Sequence, residues 1–251
     1  MKLSIITISL NSASVIEKAI TSVRNQSCRD TEHIIIDGGS TDGTLDILDR
    51  YSDGISYFIS ERDTGIYNAM NKGIKVSTGD VLFFLNSDDY FADDKVVEDV
   101  LQVFNKQPEL DIVFGNQIFD YGTKMIVKDQ SFHISQNQLA RITIQHQTIF
   151  AKRHLFELTN GFSEAYRVVS DYDWILKVFL VFNCNYLYLN RNISVMSTKG
   201  LSWTSHYERE RFRVMKNYFT NYEILRYRII PRNSIAVKNW FNRLIPRPIF
   251  H

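Results

Sequence analysis

The tetrad Asn86-Ser87-Asp88-Asp89 places two carboxylates and an amide directly after the apolar run VLFFL. Hard oxygen donors on so tight a turn suit Mg²⁺ or Mn²⁺, which take few protein ligands when phosphates and water complete the shell. The same residue types also suit a cap on the helix that follows. Upstream, residues 37–44 read DGGSTDGT. Their glycines permit sharp turns and close approach of a ligand. Asp42 suits a helix cap, whereas Asp37 ends an apolar run. The loop is neither a dinucleotide fingerprint nor a phosphate-binding P-loop nor an EF-hand. In residues 61–73 (ERDTGIYNAMNKG), Asp63 or Thr64 can cap a helix, and Asn71 and Lys72 fall off its apolar face. Residues 168–174 (VVSDYDW) run into a long apolar stretch. Acids at a helix start are favoured by its dipole, so Asp171 and Asp173 read either as terminal charges or as a general base. His146-Gln147 is a polar pair of the kind that lines a cleft.

These residues need elements to hold them. The runs at 3–8, 34–36 and 81–85 are short and almost continuously apolar, which predicts strands buried on both faces of a mostly parallel sheet. Between them, apolar residues recur at helical spacing in 13–25, 42–51, 65–76 and 94–104. Strand–helix alternation at this pace predicts an α/β fold, doubly wound, with helices on both faces. Ligands of such sheets bind at the carboxyl ends of the strands. The three polar clusters Ser9-Leu10-Asn11, 37–43 and 86–89 therefore meet on one rim. The second half predicts strands at 112–114, 148–151, 186–189 and 193–196. It also predicts a buried helix over 171–182 and a charged, aromatic helix over 204–229 that Pro231 stops.

Composition narrows the function classes. With 44% hydrophobic and 23% charged residues, wholesale disorder is excluded. No apolar run approaches the length of a spanning helix. The opening MKLSIITISLNSA reads as a strand rather than a signal peptide. Two cysteines, Cys28 and Cys184, make no disulfide framework, and a reducing cytoplasm is expected. The formal charge of +1 hides an asymmetry: residues 207–251 hold ten Lys/Arg against three acids. Arg226, Arg228, Arg232, Lys238, Arg243 and Arg247 are interleaved with Tyr227, Trp240, Phe241 and Phe250. That pattern suits an anionic lipid surface, or equally a helix packed on the domain with a solvated basic face. Nucleic acid is a poor partner, because the remaining body is acidic.

Six motifs occur in one order: SIITISLN (4–11), IIIDGGSTDGT (34–44), SERDTGIYNAMNKG (60–73), GDVLFFLNSDD (79–89), HQTIF (146–150) and SDYDWILKV (170–178). The series resembles glycosyltransferase family 2, inverting enzymes of GT-A fold that use nucleotide-diphosphate sugars such as UDP-sugars. It looks closest to the bacterial branch that builds lipopolysaccharide O-antigen, capsule and exopolysaccharide. The resemblance implies a metal-dependent hexosyltransferase with Mn²⁺ or Mg²⁺ as cofactor. Its donor is a nucleotide-diphosphate sugar and its acceptor a saccharide, commonly lipid-linked, at the inner face of the cytoplasmic membrane. Residue by residue, it implies that Asn86 and Asp88 occupy the DxD position, with Asp88 the metal ligand. Ser9, Asn11, Asp37, Glu61 and Asp63 would line the nucleotide pocket. Asp171 would be the catalytic base, with His146, Gln147 and Asp173 on the acceptor side. Three positions depart from the pattern: Leu10 stands for a frequent Tyr, Asn86 for the first Asp, and Ser170 for a frequent Glu.

The expected organisation is a GT-A domain over 1–203, with a nucleotide-sugar-binding half (1–115) and an acceptor half (116–203). A basic helical extension over 204–251 follows. Two rivals remain. A sugar nucleotidyltransferase would carry a glycine-rich basic loop after the first strand, where SLNSAS stands. A non-catalytic nucleotide-sugar-binding module would have no need of both Asp88 and Asp171.

Overall fold

A computed structural model describes residues 1–197 and 206–226. The N-terminal half alternates β1 (Leu3–Ser9), α1 (Ile16–Arg24), β2 (Thr31–Asp37), α2 (Thr44–Arg50), β3 (Tyr57–Ser60), α3 (Ile66–Val76) and β4 (Val81–Phe84). Then come β5 (Tyr90–Phe91), α4 (Val96–Lys106), β6 (Ile112–Asp120), β7 (Met125–Lys128), α5 (Gln136–Arg141), β8 (Ile149–Lys152) and α6 (Arg153–Thr159). The chain continues through α7 (Ser170–Leu176), β9 (Tyr186–Ser197), α8 (His206–Tyr218) and α9 (Asn221–Ile224). Among the described residues the strands form one sheet in the order β3-β2-β1-β4-β8-β6-β9-β5, with β7 paired to β6. β3, β2, β1 and β4 are parallel. β8 runs against both β4 and β6, so β6 and its parallel neighbour β9 share the direction of the first four. The sheet is thus mostly parallel, and it runs unbroken across the expected division at residue 115.

The apolar runs become strands for the expected reason. In β1 and β2 nearly every residue is buried, which only a sheet covered on both faces allows. Ile6, Ile34 and Phe84 pack on α3, α6 and α7 on one face; Ile5, Phe83 and Val113 pack on α1 and α4 on the other. Gly73 on α3 lies against Ile6 so closely that a Cβ there would collide with the isoleucine side chain. The expected pair of short strands at 186–189 and 193–196 is one strand, β9, whose register with β6 shifts at Asn116. α7 passes into a wider π turn over Lys177–Val181, so the expected helix at 171–182 is α-helical only in its first half.

α8 is not peripheral. Its Val214 and Met215, with Phe219 just beyond its end, are buried in the same core as β1, β4 and α7. The helix expected over 204–229 is divided near Thr220, whose hydroxyl opens a capping box with Glu223 for α9. The basic residues from Arg228 onward lie outside the described residues.

Candidate active site

Register brings the first cluster together. Ser9 sits opposite Asp37, and Asp37 opposite Ser60, at the carboxyl ends of β1, β2 and β3. The Asp37 carboxylate accepts hydrogen bonds from the hydroxyls of Ser9 (2.8 Å), Ser60 (2.7 Å) and Ser40, and from the backbone N–H groups of Gly39 (3.0 Å) and Ser40 (2.8 Å). Burial works to raise its pKa, but these donors outweigh burial and hold it below the usual carboxylate range. Asp37 has no exposed surface. It ties the ends of three strands together. Asn11 serves the same rim: its N–H donates to Ser40 Oγ (2.8 Å), and its Oδ1 accepts from Thr41 N (2.9 Å). Asp42 bonds Thr44 and also Ala13 N, so it joins two loops besides opening α2.

Leu10 stands 60% exposed over Gly38, whose absent Cβ would lie 3.0 Å from Asp63 Oδ2 and 3.4 Å from Leu10 Cδ1. Neither Asp63 nor Thr64 caps α3, which begins after Gly65 without a side-chain cap. Asp63 and Glu61 instead share the Lys72 ammonium, each at 2.8 Å, and first Asp63 and then Glu61 raise its pKa.

The tetrad after β4 folds on itself. Asn86 Nδ2 donates to Asp89 Oδ2 (3.0 Å), and Ser87 Oγ meets Ser12 Oγ at 2.8 Å. This gives Asn86 a role that a carboxylate would fill badly, because an acid here would repel Asp89. Asp89 is buried, and its pKa is raised well above normal, first by burial and then by the charge of Asp88. Its Oδ1 makes no hydrogen bond, although Gln147 and the Ser197 backbone lie beside the carboxylate. Burial raises Asp88 as well. Among the described residues no Lys, Arg or His forms an ion pair with either acid, and no cluster of three potential metal ligands occurs. Adjacent desolvated carboxylates with an unsatisfied oxygen fit a divalent ion that takes one or two protein ligands and completes its shell with diphosphate and water. A groove of about 740 Å³ between α1 and β5 opens at Asp88, Asp120 and Ser197.

The turn His146–Thr148 packs against β4, β6 and β9 and connects this tetrad to the acid on α7. Gln147, buried, reaches Met196 Sδ (3.4 Å) on β9. His146 Nδ1 lies 3.0 Å from Asp171 Oδ2, and Tyr67 Oη on α3 donates to Asp171 Oδ1 at 2.9 Å. Burial would raise the Asp171 pKa; the hydrogen bond and charge of His146, then Tyr67, outweigh it and hold the acid below its usual range. Each carboxylate oxygen keeps a further lone pair, and the side chain is 19% exposed. His146 Nε2 is buried and has no hydrogen-bond partner.

Asp173 goes elsewhere. Two residues on in a helix is about 200° around the axis, so it faces away from Asp171. It is buried and accepts from Tyr218 Oη on α8 at 2.9 Å. The structure thus joins Asp173, expected on the acceptor side, to α8 rather than to the Asp171 carboxylate. α8 also supplies Glu210, whose carboxylate accepts the N–H groups of Arg167 (3.0 Å) and Val168 (2.9 Å), just before α7 begins. Sequence reasoning did not single out Ser60, Tyr67 or Glu210 as site residues. Tyr67 sits on the apolar face of α3, and its hydroxyl was the one available signal.

With this geometry in view, the profile described as Glycosyl transferase family 2 matches residues 4–163. The chain belongs to this family. A PGL/p-HBAD biosynthesis glycosyltransferase of Mycobacterium tuberculosis is 33% identical over 184 residues, covering 70% of this chain and 69% of that protein. An uncharacterized glycosyltransferase of Haemophilus influenzae is 30% identical over 183 residues, covering 70% of this chain and 61% of the other. Among solved structures, S. aureus TarS 1–349 in complex with UDP-GlcNAc superposes with a TM-score of 0.68 at 18% identity, covering 95% of this chain and 70% of that one. The chain spans only 39% of the longer TarS crystal structure. A Pyrobaculum calidifontis mannosyltransferase in complex with GDP-Man and Mn²⁺ gives 0.61 at 16% identity, covering 84% and 60%. At such identities these structures share the fold of this family 2 glycosyltransferase, and its α/β architecture is theirs.

Proposed function

We propose that this family 2 glycosyltransferase moves a sugar from a nucleotide-diphosphate donor to a hydroxyl of a saccharide acceptor, with inversion at the anomeric carbon. The observation that carries the reading is the turn 146–148. It sets a clamped carboxylate, Asp171, on one side and the desolvated pair Asp88–Asp89 on the other. Names of relatives, which include glycosyltransferases and a complex with UDP-GlcNAc, support the substrate class. Lipid linkage of the acceptor, a role in O-antigen, capsule or exopolysaccharide synthesis, and contact with the membrane belong to the same proposal. Among the described residues no helix is long and apolar enough to cross a membrane.

In the mechanism, the exposed face of Leu10 and the Glu61/Asp63/Lys72 group receive the nucleotide, on a rim that Ser9, Asn11 and Asp37 hold in shape. Asp88, with Asp89 behind it, would hold a divalent cation that neutralises charge on the leaving diphosphate. Asp171 uses a free lone pair to accept the proton of the attacking hydroxyl. Its orientation is set by Tyr67 on one oxygen and His146 on the other. Holding the acid below its usual pKa keeps it ionised and ready, at some loss of basicity. A positioned base supplies roughly 10²–10⁴-fold in rate.

The test is a panel of sugar nucleotides with Mn²⁺, read as release of nucleoside diphosphate and transfer to saccharide acceptors. Asp171→Asn is expected to lower turnover by about 10²-fold or more with donor affinity nearly unchanged. Near-wild-type turnover in that variant removes Asp171 from the mechanism, and release of pyrophosphate instead would indicate a nucleotidyltransferase.

A further inference from the structure

Gln130 lies in the irregular segment between β7 and α5 and has no exposed surface. Both ends of its amide are used. Nε2 donates to Gly115 O (2.6 Å) on β6 and to Thr148 Oγ1 (2.9 Å), and Oε1 accepts from Gln145 N (2.9 Å). The last two partners are the residues on either side of His146-Gln147. Thr148 is itself buried, and its N–H and hydroxyl both donate to Gln145 O, at 3.0 and 2.8 Å, which closes the turn. The backbone of Gln130 is fixed in the same way: its N–H donates to Asn116 Oδ1 (3.0 Å), which also accepts from Tyr188 Oη (2.9 Å) on β9. Gly115 and Asn116 stand where the register of β6 against β9 shifts. Irregularities of this kind re-aim groups beside active sites. The spot asks for one acceptor and two donors, all away from water. A side-chain amide supplies that set; an ionised carboxylate has no donor, and an apolar residue has neither. His146 depends on the arrangement, because its imidazole hydrogen-bonds Asp171 through Nδ1 and nothing through Nε2. The backbone of the turn therefore decides where the ring stands. Leaving a buried donor or acceptor without its partner is costly, so the turn does not shift while the amide holds it.

We propose that Gln130 is a positioning residue for the transfer reaction: it fixes the turn that aims His146 at Asp171, and so orients the base. Being fully buried, it does this without meeting substrate. As a step in sugar transfer this role rests on the reading given above, in which Asp171 is the base.

The direct test reads the imidazole and needs no substrate. In nitrogen NMR spectra of the full chain at alkaline pH, wild-type His146 is expected as the Nδ1–H tautomer, because the ionised Asp171 requires a donor there. Gln130→Met keeps the volume and removes the amide; the two tautomers are then expected to interchange and their nitrogen shifts to average. A folded Gln130→Met with wild-type His146 shifts overturns the proposal. Thr148→Val, which removes only the Oγ1 partner, is read in the same way where Gln130→Met does not fold. Turnover supplies a second arm. Gln130→Met should lower kcat by roughly 10–10²-fold with the donor KM unchanged, since small misplacements of a catalytic group cost that much. It should also move the acidic limb of the pH–rate profile to higher pH, as loss of His146 would. Tyr67 and His146, the side chains that face Asp171 from α3 and from this turn, are both kept in the variant. Added to His146→Ala, Gln130→Met should move the limb no further; an additional shift would mean general loosening and would overturn the route through His146. Averaged tautomers in a protein that transfers no sugar would sink the transfer reading and leave the hold on His146 standing. Full turnover in Gln130→Met would sink the positioning role and leave the transfer reading standing.

Discussion

Asp171 and Asp88 illustrate how neighbours turn one residue type to two uses. Asp171 is pulled below the usual carboxylate range because donors outweigh its burial; Asp88 is pushed above it because burial meets no donor of comparable strength. The proposed mechanism wants this division: an ionised base on one side, and on the other an acid pair whose charge calls for a cation. Two predictions follow at this scale. Removing the imidazole in His146→Ala takes away the strongest group holding Asp171 down. Its pKa should rise, and the acidic limb of turnover should move to higher pH. The limb is read from a pH–rate profile, and an unmoved limb would show that His146 does not act on Asp171. Asp88→Ala should weaken nucleoside-diphosphate binding in the presence of Mn²⁺ and leave metal-free binding alone, which calorimetry with and without the ion measures.

At the scale of elements, α3 is the part on which both sides of the site depend. Its first turn supplies Tyr67 to Asp171, its second supplies Lys72 to Glu61 and Asp63, and its third meets β1 at Gly73. An alanine at 73 would gain up to about 1 kcal/mol of helix propensity. Against that stands overpacking on Ile6, typically about 1–3 kcal/mol. Destabilisation should win. Gly73→Ala is expected to lower the melting temperature and also to reduce turnover, because Tyr67 moves with the helix. A variant with full activity and a raised melting temperature would show that the helix docks less tightly than the contact implies. α8 plays a similar part for α7: Glu210 and Tyr218 hold the residues before and after Asp171, so part of the basic extension serves as scaffold for the base.

The whole molecule responds to acid through the edge of the sheet remote from the rim. Burial brings His33 on β2 down to about 4, against 6.5 in the unfolded chain. Burial pushes Glu32 up, but hydrogen bonds from Lys2, Ser4 and Thr78 outweigh it and bring the acid to about 2, against 4.5 unfolded. Both folded values lie below the unfolded ones, so the unfolded chain binds more protons and stability is lost as the pH is lowered. The His33 contribution is complete above pH 6.5 and is lost as pH falls toward 4. The Glu32 contribution follows between 4.5 and 2. The His33 contribution amounts to about 3 kcal/mol; that of Glu32 is smaller, because its ion pair with the half-exposed Lys2 is screened by solvent. Urea unfolding at pH 7, 5.5 and 4 should show the first loss, and His33→Gln should flatten it. A wild type equally stable at all three values would contradict the buried neutral imidazole.

The strands, the helices between them and the meeting of three polar loops on one rim were legible in the residue pattern, because burial on two faces and helical periodicity are local properties of a chain. The six ordered motifs carried the family as well. What tertiary structure decided is which polar atom touches which. Asp171 and Asp173 look alike in sequence, yet one meets Tyr67, 104 residues away, while the other is taken by Tyr218. Asp37 has the spacing of a ligand-binding acid, yet strand register surrounds it with protein donors. Hydrogen bonds and unpaired charges depend on distances of a few ångströms between remote segments, and those distances exist only once the core has closed.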